Sequence, residues 1–383
     1  MTLSFLSRKP DSGLGNIRSS PADPSRNVDW VLLATQGLLT IAGCFVVYSA
    51  SWTRIGGDPY AFVTRQVVFA IAATVVMALV MSVDYEWFKE RAALFYAATI
   101  AMLVLLLLLG FAARESRIAF DLGPFNVQPA ELAKFTTLIA LASYLADERS
   151  DEVSYARFLG GLIMVGVPAV LIIAQPDLGS ASVIITIAMG VLLVAGAKAK
   201  YIALISFLSV TTVAAAFVGG FVNDYQKERF RVFFGQTASE DSVYQVRNAI
   251  RAVGTGGLFG KGWLEGQLTN DGSVPVMWAD FPFAAVGEQF GLVGCAVLLG
   301  LFIIALARIW RIATLSKDLL GTYLCAGVFT MLLWQVFQNV GMTLGIMPVT
   351  GLPMPFISYG GSSLLTYFAL FGIVQSVHMR RMR

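Results

Sequence analysis

The sequence predicts an all-α polytopic membrane protein of about ten transmembrane helices, with one long extracytoplasmic loop between helices 7 and 8. Of its 383 residues, 57% are hydrophobic and 13% charged, whereas soluble domains carry about a quarter charged residues. Apolar runs of about 17–25 residues recur, the length that crosses a bilayer as a helix. Between two of these runs lies a polar, glycine-rich insert from about residue 223 to 282, ending Trp278-Ala279-Asp280-Phe281-Pro282. A β-barrel is excluded, because its strands would alternate apolar and polar residues.

The first segment, residues 1–28, carries Pro, Ser, Gly, Arg8, Lys9, Arg18 and Arg26 and no long apolar stretch. It is expected to be a disordered cytoplasmic tail and not a cleaved signal peptide. Residues 29–383 are expected to form a single transmembrane domain. Its helices are predicted at 30–50, 66–83, 92–113, 130–146, 157–174, 178–196, 201–222, 283–307, 319–345 and 360–378. On the side of the N-terminus the short segments hold Arg8, Lys9, Arg18, Arg26, Lys89, Arg91, Arg149, Arg157, Lys198, Lys200, Arg308, Arg311, Lys317, Arg380, Arg381 and Arg383. The other side holds Arg54, Arg65, Arg114 and Arg117. Sixteen against four predicts both termini in the cytoplasm and the long insert outside, away from ATP.

That placement bears on Gly254-Thr255-Gly256-Gly257-Leu258-Phe259-Gly260-Lys261-Gly262, which superficially suggests a phosphate loop. Gly262 occupies the Ser/Thr position and Thr255 the position of the first glycine, so the pattern fails. A tight re-entrant turn lying against the membrane is the expected use of these glycines. Cys44, Cys295 and Cys325 lie in apolar runs without metal-type spacing, and His378 is the only histidine. Zinc chemistry and a Ser-His pair are therefore poor readings.

Charges within or beside a span are costly and mark function by default. Glu131 and Lys134, in Gln128-Pro129-Ala130-Glu131-Leu132-Ala133-Lys134, share one helix face three residues apart. They read either as a structural ion pair or as the wall of a cavity touching a polar substrate. Asp177, in Gln175-Pro176-Asp177-Leu178-Gly179-Ser180, reads as a helix N-cap or as a third carboxylate at the depth of Glu131 and Asp280. Arg229 and Arg231 open the insert, suited to phosphate capture or to a solvated face. The last outward loop, Pro348 to Ser363, is too rich in Pro and Gly for a helix and holds Ser358, Ser362 and Ser363.

These motifs, collinear over about residues 30–378, resemble the SEDS family of peptidoglycan glycosyltransferases. The carriers are 128–134, 175–180, Tyr244-Gln245, 254–262, Asp280-Phe281, Glu288 with Phe290-Gly291, and Pro355 to Ser363. Asn339-Val340-Gly341-Met342 and Pro348 to Pro353 are more similar to the elongation branch, RodA, than to the division branch, FtsW. The resemblance implies a ten-helix fold in the bacterial inner membrane that polymerises lipid II into glycan strands. It implies a class B penicillin-binding protein as working partner, beside other cell-elongation membrane proteins. The family often has Pro-Glu-x-His-Thr-Asp where this chain has Pro275-Val276-Met277-Trp278-Ala279-Asp280, so the aspartate is kept and the Glu and His are not. The aromatic-rich pattern usual before the fourth helix is likewise blurred over Arg114 to Phe120.

Asp280 is accordingly the expected general base. Glu131, Lys134, Asp177, Arg229, Tyr244, Gln245, Lys261, Ser358, Ser362 and Ser363 are the expected substrate contacts. No cofactor is required by the pattern; it offers no metal cage but leaves room for a divalent cation, Mg or Mn, bridging Asp280 and a diphosphate. A lipid II flippase and a non-catalytic scaffold for cell-wall enzymes are the alternatives. A transporter would place its charges near the midplane, whereas here they cluster outward.

Overall fold

The computed structural model describes residues 27–53, 58–113, 118–121, 126–147, 153–219, 224–234 and 240–382. The predicted tail, through Arg26, and Arg54, Arg114, Arg117 and Arg149 lie outside the described residues. All ten predicted helices are present. They are α1 (Trp30–Ser51), α2 (Ala61–Ser82), α4 (Ala92–Ala113), α5 (Pro129–Ala146), α6 (Tyr155–Ala174), α7 (Leu178–Val194), α8 (Ala199–Val218), α12 (Pro282–Thr314), α13 (Leu319–Thr343) and α14 (Gly361–Met379). Seven are long and apolar enough to cross a membrane, and α7 and α8 are shorter apolar helices. The tenth, α5, carries Glu131 and Lys134 in its first turns. Arg65, counted above as a loop residue, lies inside α2, which starts five residues before its predicted start because the preceding turn is polar only as far as Asp58.

Four short helices were not foreseen: α3 (Tyr85–Glu90), α9 (Asp224–Phe233), α10 (Glu240–Thr255) and α11 (Gln267–Asn270). A two-residue antiparallel pair, β1 (Phe120–Asp121) and β2 (Asn126–Val127), precedes α5. More than half of the insert's described residues are thus helical. The most apolar 18-residue stretch of α14 is 89% buried and that of α13 67%, against 22% in α2 and α4. α13 and α14 therefore form the centre, with α2 and α4 facing lipid.

The two ends of the bundle are fastened differently. At the end holding the chain termini, charged side chains do the work. Asp29 pairs with Arg308 at 2.5 Å, and its main chain exchanges two hydrogen bonds with the Gln375 amide. Arg380 pairs with Asp84 at 3.2 Å, and the Tyr85 hydroxyl donates to Asp318 at 2.7 Å.

At the opposite end the backbone itself is the fastener. α12 breaks at Gly291, whose φ of +65° suits glycine. The break frees two carbonyls and two N–H groups, and the glycine-rich loop satisfies all four. The N–H groups of Lys261 and Gly262 donate to Glu288 and Gln289, and those of Leu292 and Val293 donate to Gly257 and Leu258, at 2.9–3.1 Å. The expected tight turn is therefore found, with α12 as its floor. Buried Glu288 accepts from Lys261, from the Leu268 and Thr269 N–H groups and from the Thr269 hydroxyl, which leaves neither oxygen unpaired.

A Cβ at residue 291 would come within 2.4 Å of the Gly260 nitrogen and 2.6 Å of the Leu258 oxygen. Gly291→Ala should therefore destabilise the fold by at least the ~1–3 kcal/mol typical of a strained backbone residue. A thermal melt of the detergent-purified variant checks this; an unchanged midpoint would refute the pairing.

Candidate active site

Asp280 is held by its backbone. The turn before it is pegged into the core by Val274, Met277 and Phe281, all fully buried, and closed by N–H groups of Ala279 and Asp280 on the Val276 carbonyl. Pro282 then supplies the first position of α12. A second segment, residues 348–360, grips this turn. The Ser358 hydroxyl donates to the Ala279 carbonyl at 2.6 Å and accepts from the Met354 N–H at 2.8 Å. The Tyr359 N–H donates to Trp278 at 2.9 Å, and Phe62 packs on both aromatic rings. Asn339, buried in α13, completes the grip. Its amide donates to the carbonyls of Asp280 and Leu352, each at 2.9 Å.

The Asp280 side chain is half-buried. Loss of water raises its pKa above the usual carboxylate value, and the positive charge of Arg229 opposes that rise. Arg229 also reaches the Val349 carbonyl at 3.4 Å. Gly351, with φ of +72°, lies against both: a Cβ there would sit 3.4 Å from the Arg229 guanidinium and 3.9 Å from an Asp280 oxygen. Acid, guanidinium and a bare stretch of backbone thus share one spot at the head of α12.

The remaining predicted residues fall into three groups. Gln128, Asp177 and Ser362 form the first: Gln128 donates to Asp177 at 3.1 Å, and Ser362 accepts the Gln128 N–H while donating to Asn126. Asp177 is also the N-cap of α7 through the Ser180 N–H, as the first of its two readings has it. Leu352 packs on Gly179, which joins this group to the segment gripping Asp280. The second group is Glu131 and Lys134, paired at 2.6 Å and sealed from solvent, with Lys134 0% exposed. The third is tied to the insert. Lys261 is engaged by Glu288, Gln245 donates to the Pro275 carbonyl at 3.3 Å, and Tyr244 is exposed. Ser358 is buried within backbone bonds, and Ser363 is partly exposed at the start of α14.

Below the Asp280 turn an apolar groove of about 560 Å³ runs between α1 and α12, lined by Phe45, Trp263, Val286, Phe290, Leu298 and Ile357. A larger cleft of about 780 Å³, lined by Glu86, Lys89, Lys317 and Asp318, lies at the opposite end and holds none of the predicted site residues. Among the described residues no three His, Cys, Asp or Glu side chains are gathered. A divalent cation here would have to draw most of its oxygen ligands from bound substrate, with Asp280 as the protein carboxylate that could hold it.

Asn339 carries a role that the sequence reading missed. An amide inside an apolar helix is a costly residue and therefore a signal, but the two carbonyls it holds cannot be read from its neighbours.

Residues 29–383 match the cell cycle protein family FtsW/RodA/SpoVE. The chain is 32% identical over 357 residues to stage V sporulation protein E of Bacillus subtilis, covering 91% of this chain and 96% of that protein. It is 31% identical over 362 residues to the probable peptidoglycan glycosyltransferase FtsW of Geobacter metallireducens (92% and 95%). It is 27% identical over 425 residues to the peptidoglycan glycosyltransferase RodA of Treponema pallidum (92% and 98%). Solved structures resemble it as well. A chain from a peptidoglycan synthase complex that coordinates polymerization and crosslinking gives a TM-score of 0.75 at 28% identity, covering 93% of this chain and 99% of that one. The rod shape determining protein RodA of Thermus thermophilus gives 0.69 at 28% identity (93% and 98%).

Asn339→Ala should release the carbonyls of Asp280 and Leu352 together. Each lost bond of this kind costs about 0.5–1.5 kcal/mol, so a lower melting temperature and faster proteolysis near residue 280 are expected. Unchanged proteolysis would refute the clamp.

Proposed function

This chain belongs to the FtsW/RodA/SpoVE family of cell cycle proteins, and we propose that Asp280 is the general base with which it polymerises lipid II into glycan strands. The chain is a peptidoglycan glycosyltransferase of the bacterial membrane. The observation that carries the assignment of Asp280 is its setting: a half-buried carboxylate of raised pKa, backbone-clamped, beside Arg229. A positioned base works best with a pKa near the operating pH, and desolvation moves Asp280 that way.

In this reading the Asp280 carboxylate takes the proton of the acceptor GlcNAc hydroxyl. The hydroxyl oxygen bonds to the donor MurNAc anomeric carbon as the bond to the diphosphate breaks, with inversion. The electron pair leaves on the lipid-linked diphosphate, which needs no strong acid. Arg229 provides positive charge beside the reacting carboxylate, and a guanidinium suits phosphate oxygens. Lys134, oriented by Glu131, is the further cation, held within the helix bundle behind the Asp177 and Ser362 group. Asp177 and Ser362, with Gln128 between them, are placed to meet sugar hydroxyls. The apolar groove beneath the turn has the lining a prenyl chain requires. A divalent cation, where one binds, would supply further charge to the diphosphate.

The excess of Lys and Arg at the end holding both termini supports a cytoplasmic placement for them and an outer-leaflet site for Asp280. The similarity to a chain of a synthase complex that also crosslinks supports a class B penicillin-binding protein as partner. The Asn339 to Met342 and Pro348 to Pro353 segments support a role in elongation alongside other elongation proteins. Glu131 and Lys134 sit in the first two turns of α5, near one end and not at its centre, which weighs against transport.

Asp280→Asn in purified, folded protein should lower strand synthesis from fluorescent lipid II by about 10²–10⁴-fold; near-normal glycan ladders, with the partner present, would rule the base out. The pH profile tests the electrostatics. Arg229 lowers a pKa that burial raises, so Arg229→Met should raise it further. The carboxylate then stays protonated to higher pH, and the acid limb of the rate profile should move upward. A limb that stays still or moves down would refute the pairing.

A further inference from the structure

Beside the Glu131–Lys134 pair lies a buried polar group that the mechanism above does not use. Tyr367 of α14 is 0% exposed, and its phenol oxygen has no hydrogen-bond partner. One oxygen of Glu131 is in the same state. Oε1 takes the Lys134 ammonium at 2.6 Å, while the equally buried Oε2 takes nothing. A buried donor and a buried acceptor left open each carry their full desolvation cost, and the bilayer offers no water to relieve it.

Their register brings them level. Ser362 hooks the start of α14 to the start of α5 through Gln128 and Asn126, and the two helices run the same way from that hook. Glu131 and Lys134 lie three and six residues past Gln128, and Tyr367 five past Ser362. At 1.5 Å per residue these are depths of about 4.5, 9 and 7.5 Å. The phenol therefore lies between carboxylate and ammonium in height. α5 and α14 pack together, and the Glu131 charge bears directly on the phenol. Phe356, in the segment that grips the Asp280 turn, packs tilted against the Tyr367 ring, with centroids 5.4 Å apart.

We propose that Tyr367 is a positioning residue for strand synthesis: the two open groups, unpaired as they stand, close on one another by side-chain rotation, so that the hydroxyl donates to Glu131 Oε2 and fixes the carboxylate and with it the Lys134 ammonium. The kinetic part rests on the function proposed above; the contact itself does not. Tyr367→Phe removes one oxygen and keeps the ring. In full-length protein with its class B partner and fluorescent lipid II, kcat/KM should fall about tenfold, the scale of a hydrogen bond to a charged group.

Because the effect passes through Glu131, Tyr367→Phe should change nothing further in a Glu131→Gln background, and the melting temperatures of the four proteins should be non-additive in the same way. A Phe variant at the wild-type rate overturns the proposal, as does an equal loss in both backgrounds. If the unsubstituted protein makes no strands, the proposed function falls. If that protein or Glu131→Gln is inactive, the melting cycle decides the contact: coupling supports it and additivity overturns it.

Discussion

Backbone polarity in a place without water is the constraint from which the rest of this structure follows. A membrane helix satisfies itself internally, and every departure from helix must find partners within the protein. α12 departs at Gly291, and the four groups released there are taken by residues 257–262. That exchange holds the insert against the bundle. It fixes Glu288 where it can gather Lys261 and the start of α11. It also leaves Leu258 and Phe259 exposed at the rim, where apolar side chains meet lipid.

The same constraint builds the chemistry. Residues 274–281 and 348–360 are both irregular, and neither stands alone. Ser358, Tyr359 and Asn339 bind one to the other. The result is a carboxylate with little backbone freedom, next to a guanidinium and an open glycine. Reaction geometry is held before the substrate arrives, which is where positioned groups gain most of their effect.

How much of this was legible follows the range of each interaction. The ten helices were, because a span declares itself through twenty consecutive residues. Asp280 and Arg229 were also legible as charges bracketing the insert, although their meeting across some fifty residues was not. The helices α9 to α11 were missed because glycine and polar residues read as turn when packing against α12 cannot be seen. The Gly291 break was hidden because a single glycine between Phe290 and Leu292 reads as part of a helix when the loop that pairs with it cannot be seen. Asn339 was read only as a mark of one branch, since its bonds reach residues 280 and 352. Asp177 shows the limit from the other side. Its cap to Ser180 is local and readable, and its bond to Gln128 is not.

Thirty-three residues make α12 about 50 Å long if regular, well beyond a hydrocarbon slab of about 30 Å. Its uncharged stretch from Phe290 to Ala307 measures only about 27 Å. The surplus is divided between the two ends, with Arg308 anchored to Asp29 at one and Asp280 carried beyond the other. The helix is therefore a ruler. It sets the altitude of one carboxylate relative to the lipid phosphates, so bilayer thickness becomes a determinant of whether that group and a membrane-bound sugar stand level.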